Sequence, residues 1–355
     1  MFAKIAKLTA LVSVAAVVLT ACTPPMPPEV KAALLEQTYT CIHGSASVNI
    51  PESMDDAAPS IADSAAGNCP GMTFTVNDGS KPNIVFGSSA PAASQCSATT
   101  SVPYAIDAAV VVASLADAGG VIFSPQTAAA VLDGTITKWN DPRITKDNGG
   151  MELSSGPISI VPTTDALAVS AFANWYKHLT GKTFNASKLS PKRNLVSTDL
   201  GELPEGSVAL LPYSTYSVYS VNAMTIPLAA SIIVDGKVNP SGVIPDVSGI
   251  GSAATQLDYQ KSGNTVSVKL NYALKPVPPL GSDTAPDPYG AIYPVNLDFC
   301  GQPSKVTRAI ARFMLRQDSM GSLTALVPIP ETLRAESLDV VSVGLPQPKV
   351  TAPAN

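Results

Sequence analysis

Hydroxyl and carboxylate side chains in three short segments could hold a small polar ligand. The candidate ligand-binding residues are Ser45, Ser47, Val48, Ser88, Ser89, Thr163 and Asp165. Hydroxyl groups and the unpaired N–H groups at a helix N-terminus are donors, and together they bind an anion or another polar solute. Val48 is included for its backbone N–H, because a predicted helix starts shortly after it. An ordinary N-cap role for Ser47 is an equally good interpretation.

Catalysis and metal binding receive little support from the residue types. The sequence contains two histidines, His43 and His178, so a serine–histidine–acid arrangement would need one of them beside a nucleophile. His178 lies in a predicted helix and is expected at the surface. His43 lies near the first candidate segment, and we predict that it contacts any anion bound there. No Cys-x-x-Cys pair occurs and the histidines are few, so we expect no metal site. We also expect no cofactor and no enzymatic activity.

The composition argues against a disordered chain and against nucleic-acid binding. Charged residues make up 14% of the 355-residue chain and apolar residues 45%, which argues against disorder. The net charge of −5 provides no basic surface for nucleic acid. The length allows one large or two medium domains. After the N-terminal segment, no apolar run is long enough for a further membrane span.

The N-terminus predicts an exported lipoprotein. Lys4 and Lys7 precede a short apolar run over 8–19, which is the arrangement of a signal peptide at 1–21. The run ends in Leu-Thr-Ala-Cys, which resembles the bacterial lipobox and implies acylation, such as palmitate, on Cys22. We therefore expect a lipid anchor at the extracytoplasmic face of the cell membrane. The proline-rich segment 22–36 is expected to be an extended, stiff tether.

Four further cysteines predict disulfide bonds. An exported chain is oxidised, and an even number of cysteines favours complete pairing. The candidates are Cys41, Cys69, Cys96 and Cys300. Two disulfides are expected, and all three connectivities remain possible.

Alternating strands and helices predict an α/β protein with mainly parallel sheets. A continuous apolar run over 105–114 indicates a strand buried on both faces. The other predicted strands include 36–42, 72–76, 84–87, 157–161, 208–211 and 231–234. The predicted helices include 51–66 with a break near Pro59, 125–133, 165–180, 213–221 and 305–317.

One block resembles a known family. The run Asp-Gly-Thr-Ile-Thr-Lys-Trp-Asn-Asp-Pro at 133–142 is similar to that of phosphate-binding proteins, the extracytoplasmic receptors of phosphate ABC importers. The resemblance implies a two-lobed periplasmic-binding-protein fold of type II, a clamshell. Lobe one would comprise 37–108 plus 290–345, lobe two 109–289, and a tail 346–355. We expect Trp139 and its block to be scaffold rather than ligand site.

The resemblance also exposes differences in the candidate site. Residues 44–48 would form the first ligand loop and 86–91 the second, where Ser88 matches the family and Ser89 replaces an aspartate. In the third loop Asp165 is retained, and it is a candidate N-cap. Thr163 stands in place of an arginine, and Leu167 and Val169 replace hydroxyl residues. Losing a charge-assisted contact and two hydroxyl contacts would weaken phosphate binding by roughly 3–5 kcal/mol.

Two functions remain open on this basis. The chain is either a solute-binding lipoprotein that delivers a small solute or anion to an ABC permease, or an accessory scaffold of another envelope complex. A rebuilt phosphate site and a less charged solute are both compatible with the first function. The sequence does not identify the solute.

Overall fold

The computed structural model describes residues 27–87, 90, 93–116, 120–162, 165–189, 203–219, 224–228, 233–234, 237–238, 242–316 and 325–347. The helices are α1 (Pro28–Glu36), α2 (Ala58–Asn68), α3 (Pro125–Leu132), α4 (Pro142–Asp147), α5 (Ala166–Thr180), α6 (Tyr213–Tyr219), α7 (Val247–Ala254), α8 (Lys305–Met314) and α9 (Glu331–Val341). Within this part of the chain, no helix is both long and apolar enough to span a membrane.

The strands of the N-terminal half are β1 (Gly44–Asn49), β2 (Met72–Val76), β3 (Ile84–Phe86), β4 (Ala98–Ser114), β5 (Ser159–Val161) and β6 (Ser207–Pro212). Those that follow are β7 (Met224–Thr225), β8 (Ile233–Val234), β9 (Lys237–Val238), β10 (Leu257–Ser262), β11 (Thr265–Leu270), β12 (Ile292–Cys300) and β13 (Val327–Pro328).

The long strand β4 belongs to two groups of strands. Its first part pairs with β12, and the sheet continues from β12 through β3 and β1 to β2. Its last part, from Ala109, pairs with β6 and β7. The β1–β2, β1–β3 and β5–β6 pairs are parallel, whereas β4 is antiparallel to β12 and β6. The predicted two-lobed α/β fold is confirmed, and β4 and β12 run side by side where the two groups meet.

The predicted lobe boundaries remain a prediction. The β10–β11 hairpin falls within 109–289, but β11 pairs with the first part of β4 through Thr265 and Ser101. The hairpin therefore extends the sheet that carries β12, β3 and β1, although the predicted boundary assigns it to the other lobe.

Several predicted elements agree with the structure. The apolar run 105–114 lies within β4 and is buried almost throughout. Helices α3 and α5 lie where the sequence places them, and α5 ends at Gly181 in the left-handed conformation that glycine favours. The predicted helix 51–66 is divided into a 3-10 turn (Glu52–Met54) and α2, with Pro59 in the first turn of α2.

The tether and the first strand were predicted wrongly. Residues 28–36 form α1 instead of an extended spacer, and 36–42 do not form a strand. Pro28 suits the first helical turn, and no proline follows it within α1. Leu35 is buried, and Glu36 forms an ion pair with Arg334 of α9. The helix therefore packs on the C-terminal helices, and only the part of the tether before residue 27 lies outside the described residues.

Candidate functional site

Two strand ends and the centre of β4 meet at one position. A side chain at Gly87, after β3, would lie 3.4 Å from Val295 of β12 and 3.8 Å from Pro51, after β1. Ligands of open α/β sheets bind outside the carboxyl ends of the parallel strands. Because β1 and β3 both end here, this junction is the candidate site.

Asp107 of β4 lies two residues after Ala105, which pairs with Val295, and it is 3% exposed. Its carboxylate accepts hydrogen bonds from the N–H of Ala108 at 2.8 Å and from the N–H of Ser214 at 3.1 Å. The Ser214 hydroxyl donates to the second carboxylate oxygen at 2.6 Å. Ser214 belongs to α6, so a single carboxylate links β4 to that helix.

Ser53 extends this contact to the segment after β1. Its hydroxyl oxygen lies 3.2 Å from that of Ser214. The Ser214 proton is directed to Asp107, so Ser53 is the donor in this pair. A chain of polar contacts thus runs from the 3-10 turn through α6 to β4. All three side chains are buried.

The junction carries an unusual concentration of negative charge. Burial, and to a smaller extent the nearby Asp165 charge, raises the pKa of Asp107 to about 6, although hydrogen bonds from Ser214 and Ala108 oppose the rise. Burial, together with the carboxylates of Asp107 and Asp165, also holds the pKa of Tyr293 well above its usual range. The described hydrogen bonds to Asp107 all come from neutral groups, so no positive charge offsets the effect of burial on its pKa.

Asp165 is the N-cap of α5, as the sequence suggested. Its carboxylate accepts hydrogen bonds from the N–H groups of Leu167 at 2.8 Å and Ala168 at 2.9 Å. The side chain is buried, and burial raises its pKa. The helix terminus that the family resemblance assigns to an anion therefore already binds a carboxylate of the protein itself.

The predicted first ligand loop is a strand. Ser45, Ser47 and Val48 lie within β1, which pairs with β2 and β3. The Ser47 N–H donates to Asn83 at 2.9 Å, and its hydroxyl donates to Asp78 at 3.0 Å. The loop was assigned from the family resemblance, whereas the alternating small and polar residues have the period of a strand. The segment after β1 contributes Ser53, whose hydroxyl contacts that of Ser214.

His43 lies at the wrong end of β1 for the predicted contact. Its ring packs against Gly71, where an added Cβ would lie 2.8 Å from Nδ1. The strand has six residues, so this position is about 20 Å from the opposite end. His178 stacks on Tyr272, with ring centroids 4.0 Å apart. Neither histidine reaches the Asp107 junction, so no serine–histidine–acid arrangement forms there.

Several predicted residues lie outside the described residues. These are Ser88, Ser89, Thr163 and Cys22. Among the residues that the structure does describe, no group of histidine, cysteine and acidic side chains has the arrangement of a metal site. Gly87 and Asp165 border the undescribed positions 88–89 and 163–164, respectively.

The predicted disulfides are present, and the structure determines their connectivity. Cys41 pairs with Cys69, and Cys96 pairs with Cys300. The first bond joins the segment before β1 to the end of α2, and the second joins the segment before β4 to the end of β12.

The tryptophan block is scaffold. Trp139 is fully buried, and its Nε1–H donates to the carbonyl of Gly206 at 3.2 Å. Its ring also packs near Phe123, with centroids 6.3 Å apart. The block therefore positions α3 and the start of β6, and it does not contribute to the junction.

Sequence reasoning missed the central residues of the candidate site. Asp107, Ser214, Ser53 and Tyr293 were not among the candidates. Asp107 could have been found, because it is the only charged residue in the apolar run 105–114. A buried charge in such a strand is rare and marks a position with a specific partner.

Known proteins show both a sequence relationship and a fold relationship. No family model matches the chain. The chain is 26% identical over 231 residues to the phosphate-binding protein PstS 3 of Mycobacterium leprae, covering 59% of this chain and 57% of that protein. It therefore spans little more than half the length of this curated relative. A 60-residue segment is 40% identical to PstS 2 of Mycobacterium tuberculosis, covering 17% of this chain and 16% of that protein.

Solved structures share the fold at low sequence identity. The crystal structure of a DING protein matches with a TM-score of 0.51 and 15% identity, over 82% of this chain and 93% of that one. A human phosphate-binding apolipoprotein matches with a TM-score of 0.50 and 13% identity over the same shares. The predicted resemblance to phosphate ABC transporter substrate-binding proteins is confirmed by the sequence similarity to PstS 3.

Proposed function

We propose that this protein is an extracytoplasmic solute-binding lipoprotein that presents a small solute to an ABC importer. The observation that carries the proposal is the junction at Asp107. There the ends of β1 and β3, the centre of β4 and the start of α6 come together around buried polar groups. This is the type of position at which α/β proteins bind ligands.

The solute would be bound by groups from several segments. Ser53 and Ser214 carry hydroxyls at the junction. Two of the predicted residues, Ser88 and Ser89, come after β3 in the sequence, and Thr163 comes before α5. We propose that these three residues complete the site. Ser45, Ser47 and Val48 contribute less, because the Ser47 donors are bound to Asp78 and Asn83.

The N-terminal sequence supports the proposed location. Residues 1–21 have the pattern of a signal peptide, and Cys22 follows a lipobox-like sequence. Two disulfides fit an oxidising compartment. A protein attached to the outer face of the membrane is close to the permease that receives its solute.

Co-purification from the native bacterium tests the transport role. The full-length chain with an affinity tag at its C-terminus is isolated from detergent-solubilised membranes, and the associated proteins are quantified by mass spectrometry. We expect enrichment of the permease and ATPase subunits of one ABC transporter relative to an untagged strain. Reproducible enrichment of an envelope complex without ABC subunits would contradict the proposal and favour the accessory role.

A further inference from the structure

A surface cavity of about 340 Å³ lies between the segment before β1, helix α8 and the segment after α9. Its lining residues are Thr38, Tyr39, Thr40, Cys41, Arg312, Pro346 and Gln347. Among these described residues, Arg312 is the only one that carries a charge. None of them belongs to the Asp107 junction, so a ligand in this cavity would occupy a second site.

Arg312 is a buried cation without an acidic partner in the described part of the chain. It is 5% exposed, and its Nη1 and Nη2 groups donate to the carbonyl oxygens of Pro346 and Leu35, both at 3.2 Å. A guanidinium carries more N–H groups than these two bonds use. Burial and the charge of Arg316 lower the pKa of Arg312 to about 10. A buried charge that contacts only neutral carbonyls is expensive.

Arg334 shows how the same fold compensates a buried arginine. It is also buried, and it forms ion pairs with Glu36 and Glu331. Burial alone would lower its pKa, but these two carboxylates raise it overall. Arg312 has no such carboxylate among the described residues, and it borders a cavity instead. The opposite charge can therefore come from a ligand.

The segment before β1 supplies further donors to the cavity. The hydroxyls of Thr38 and Thr40 line it and make no hydrogen bond within the described residues. This wall is held in place at two points. Cys41 forms a disulfide, and the guanidinium of Arg316 lies 4.0 Å from the ring centroid of Tyr39. A wall that is fixed before binding reduces the entropy that a ligand must offset.

We propose that this cavity binds the carboxylate group of a small organic solute, with Arg312 as its main partner. The guanidinium fork matches the two oxygens of a carboxylate, and one negative charge balances that of the arginine. Thr38 and Thr40 donate further hydrogen bonds to the same group. A phosphate dianion fits less well, because no second cation lines the described part of the cavity. The site is independent of the proposed function of the Asp107 junction.

Titration calorimetry of the mature chain with acetate, succinate and inorganic phosphate tests the proposal. The buffer contains neither carboxylate nor phosphate and is kept at neutral pH, where Arg312 is charged. We expect acetate or succinate to bind at millimolar concentration, and phosphate to bind less tightly at this site.

Two variants and a matched control locate the binding. Arg312→Gln removes the charge, so the Kd of the carboxylate probe should rise at least about tenfold. Thr40→Val removes only a hydroxyl and should raise the Kd about threefold or more. Arg308→Gln is the control and should leave the Kd unchanged. Arg308 lies one turn earlier on α8, burial lowers its pKa, and it donates to the carbonyl of Val340 without lining the cavity.

Thermal unfolding verifies that each variant is folded, and Thr40→Val decides the question if Arg312→Gln is not. Carboxylate binding that weakens in these variants but not in Arg308→Gln supports the proposal. Absence of carboxylate binding to the folded wild type overturns it, and so does binding that the variants leave unchanged. Phosphate that binds more tightly than either carboxylate, and is lost in Arg312→Gln, overturns the assigned ligand class.

Discussion

The Ser214 hydroxyl donates a hydrogen bond of 2.6 Å to the Asp107 carboxylate and thereby joins α6 to the centre of β4. Ser53 contacts the same hydroxyl from the segment after β1. The contact lies where β4 changes its pairing from β12 to β6, between Ala108 and Ala109. A change in the charge of Asp107 therefore affects contacts of three segments, which are β4, α6 and the segment after β1.

The first prediction concerns the pH dependence of stability. The pKa of Asp107 is raised from its ordinary value of 3.8 to about 6, so between these values the folded protein holds a proton that the unfolded chain has lost. The contribution of Asp107 to the free energy of unfolding is therefore fully present below pH 3.8 and is lost as the pH rises to about 6. The shift corresponds to about 3 kcal/mol.

Urea unfolding of the wild type and Asp107→Asn across this pH range measures that effect. The free energy of unfolding of the wild type should fall by about 3 kcal/mol relative to the variant between the two limits. Asp165 and Tyr293 remain in both proteins, so the difference isolates Asp107. Parallel curves for the two proteins would show that Asp107 has an ordinary pKa.

The second prediction concerns the N-terminus of α5. Asp165→Ala removes the acceptor for two backbone N–H groups and should lower the free energy of unfolding by about 1 kcal/mol. Asp165→Asn is the matched control, because asparagine is an equally good N-cap and retains the acceptor oxygen. Denaturant unfolding at neutral pH compares them, and equal losses in both variants would argue against a capping role.

The third prediction separates scaffold from site. Trp139→Ala removes a fully buried ring and its bond to Gly206, so the free energy of unfolding should fall by about 3–5 kcal/mol. Tyr259→Ala, at an exposed aromatic position, should change it by less than about 0.5 kcal/mol. Under conditions in which the Trp139 variant remains folded, its affinity for a solute should equal that of the wild type. A specific loss of affinity would place Trp139 in the site.

The fourth prediction ranks the two disulfides. The relation between loop length and unfolded-state entropy gives about 5 kcal/mol for Cys96–Cys300, which spans 204 residues, and about 4 kcal/mol for Cys41–Cys69, which spans 28. Replacing both cysteines of a pair by serine should therefore destabilise the protein more for Cys96 and Cys300. Thermal unfolding of the two double variants provides the comparison, and the reverse order would contradict the entropic explanation.

The fifth prediction concerns the anchor. Cys22→Ser removes the thiol that we propose is acylated, so the variant should lose incorporation of an alkynyl palmitate analogue and leave the membrane fraction. Cys41→Ser tests whether the label reports on Cys22 alone, and it should remain labelled. Continued labelling of the Cys22 variant would refute the proposed lipid anchor.

Fold and site were predictable to different degrees. Periodicity and capping residues located β4, α3 and α5, because burial and helix termini leave local signals. The docking of α1 was not predictable, since it depends on contacts with Arg334 and other residues about 300 positions away. For the same reason the cysteine pairing remained open.

The candidate site shows most clearly the difference between local contacts, which the sequence predicts, and tertiary contacts, which it does not. Asp165 was correctly interpreted as an N-cap, because capping is a contact within one helix turn. Ser214 and Asp107 are separated by 107 residues, and only the tertiary fold brings them together. The family resemblance directed attention to the loops, whereas Asp107 lies within the long strand β4.

The central claim is that the Asp107 junction binds the solute. Hydrogen exchange of the mature chain, measured by mass spectrometry without ligand and with each of a panel of small solutes that includes phosphate, tests it most directly. We predict that the solute that binds slows exchange in peptides covering 50–54, 105–109 and 213–217. Unchanged exchange in these peptides with every solute, or protection confined to other parts of the chain, would contradict the claim.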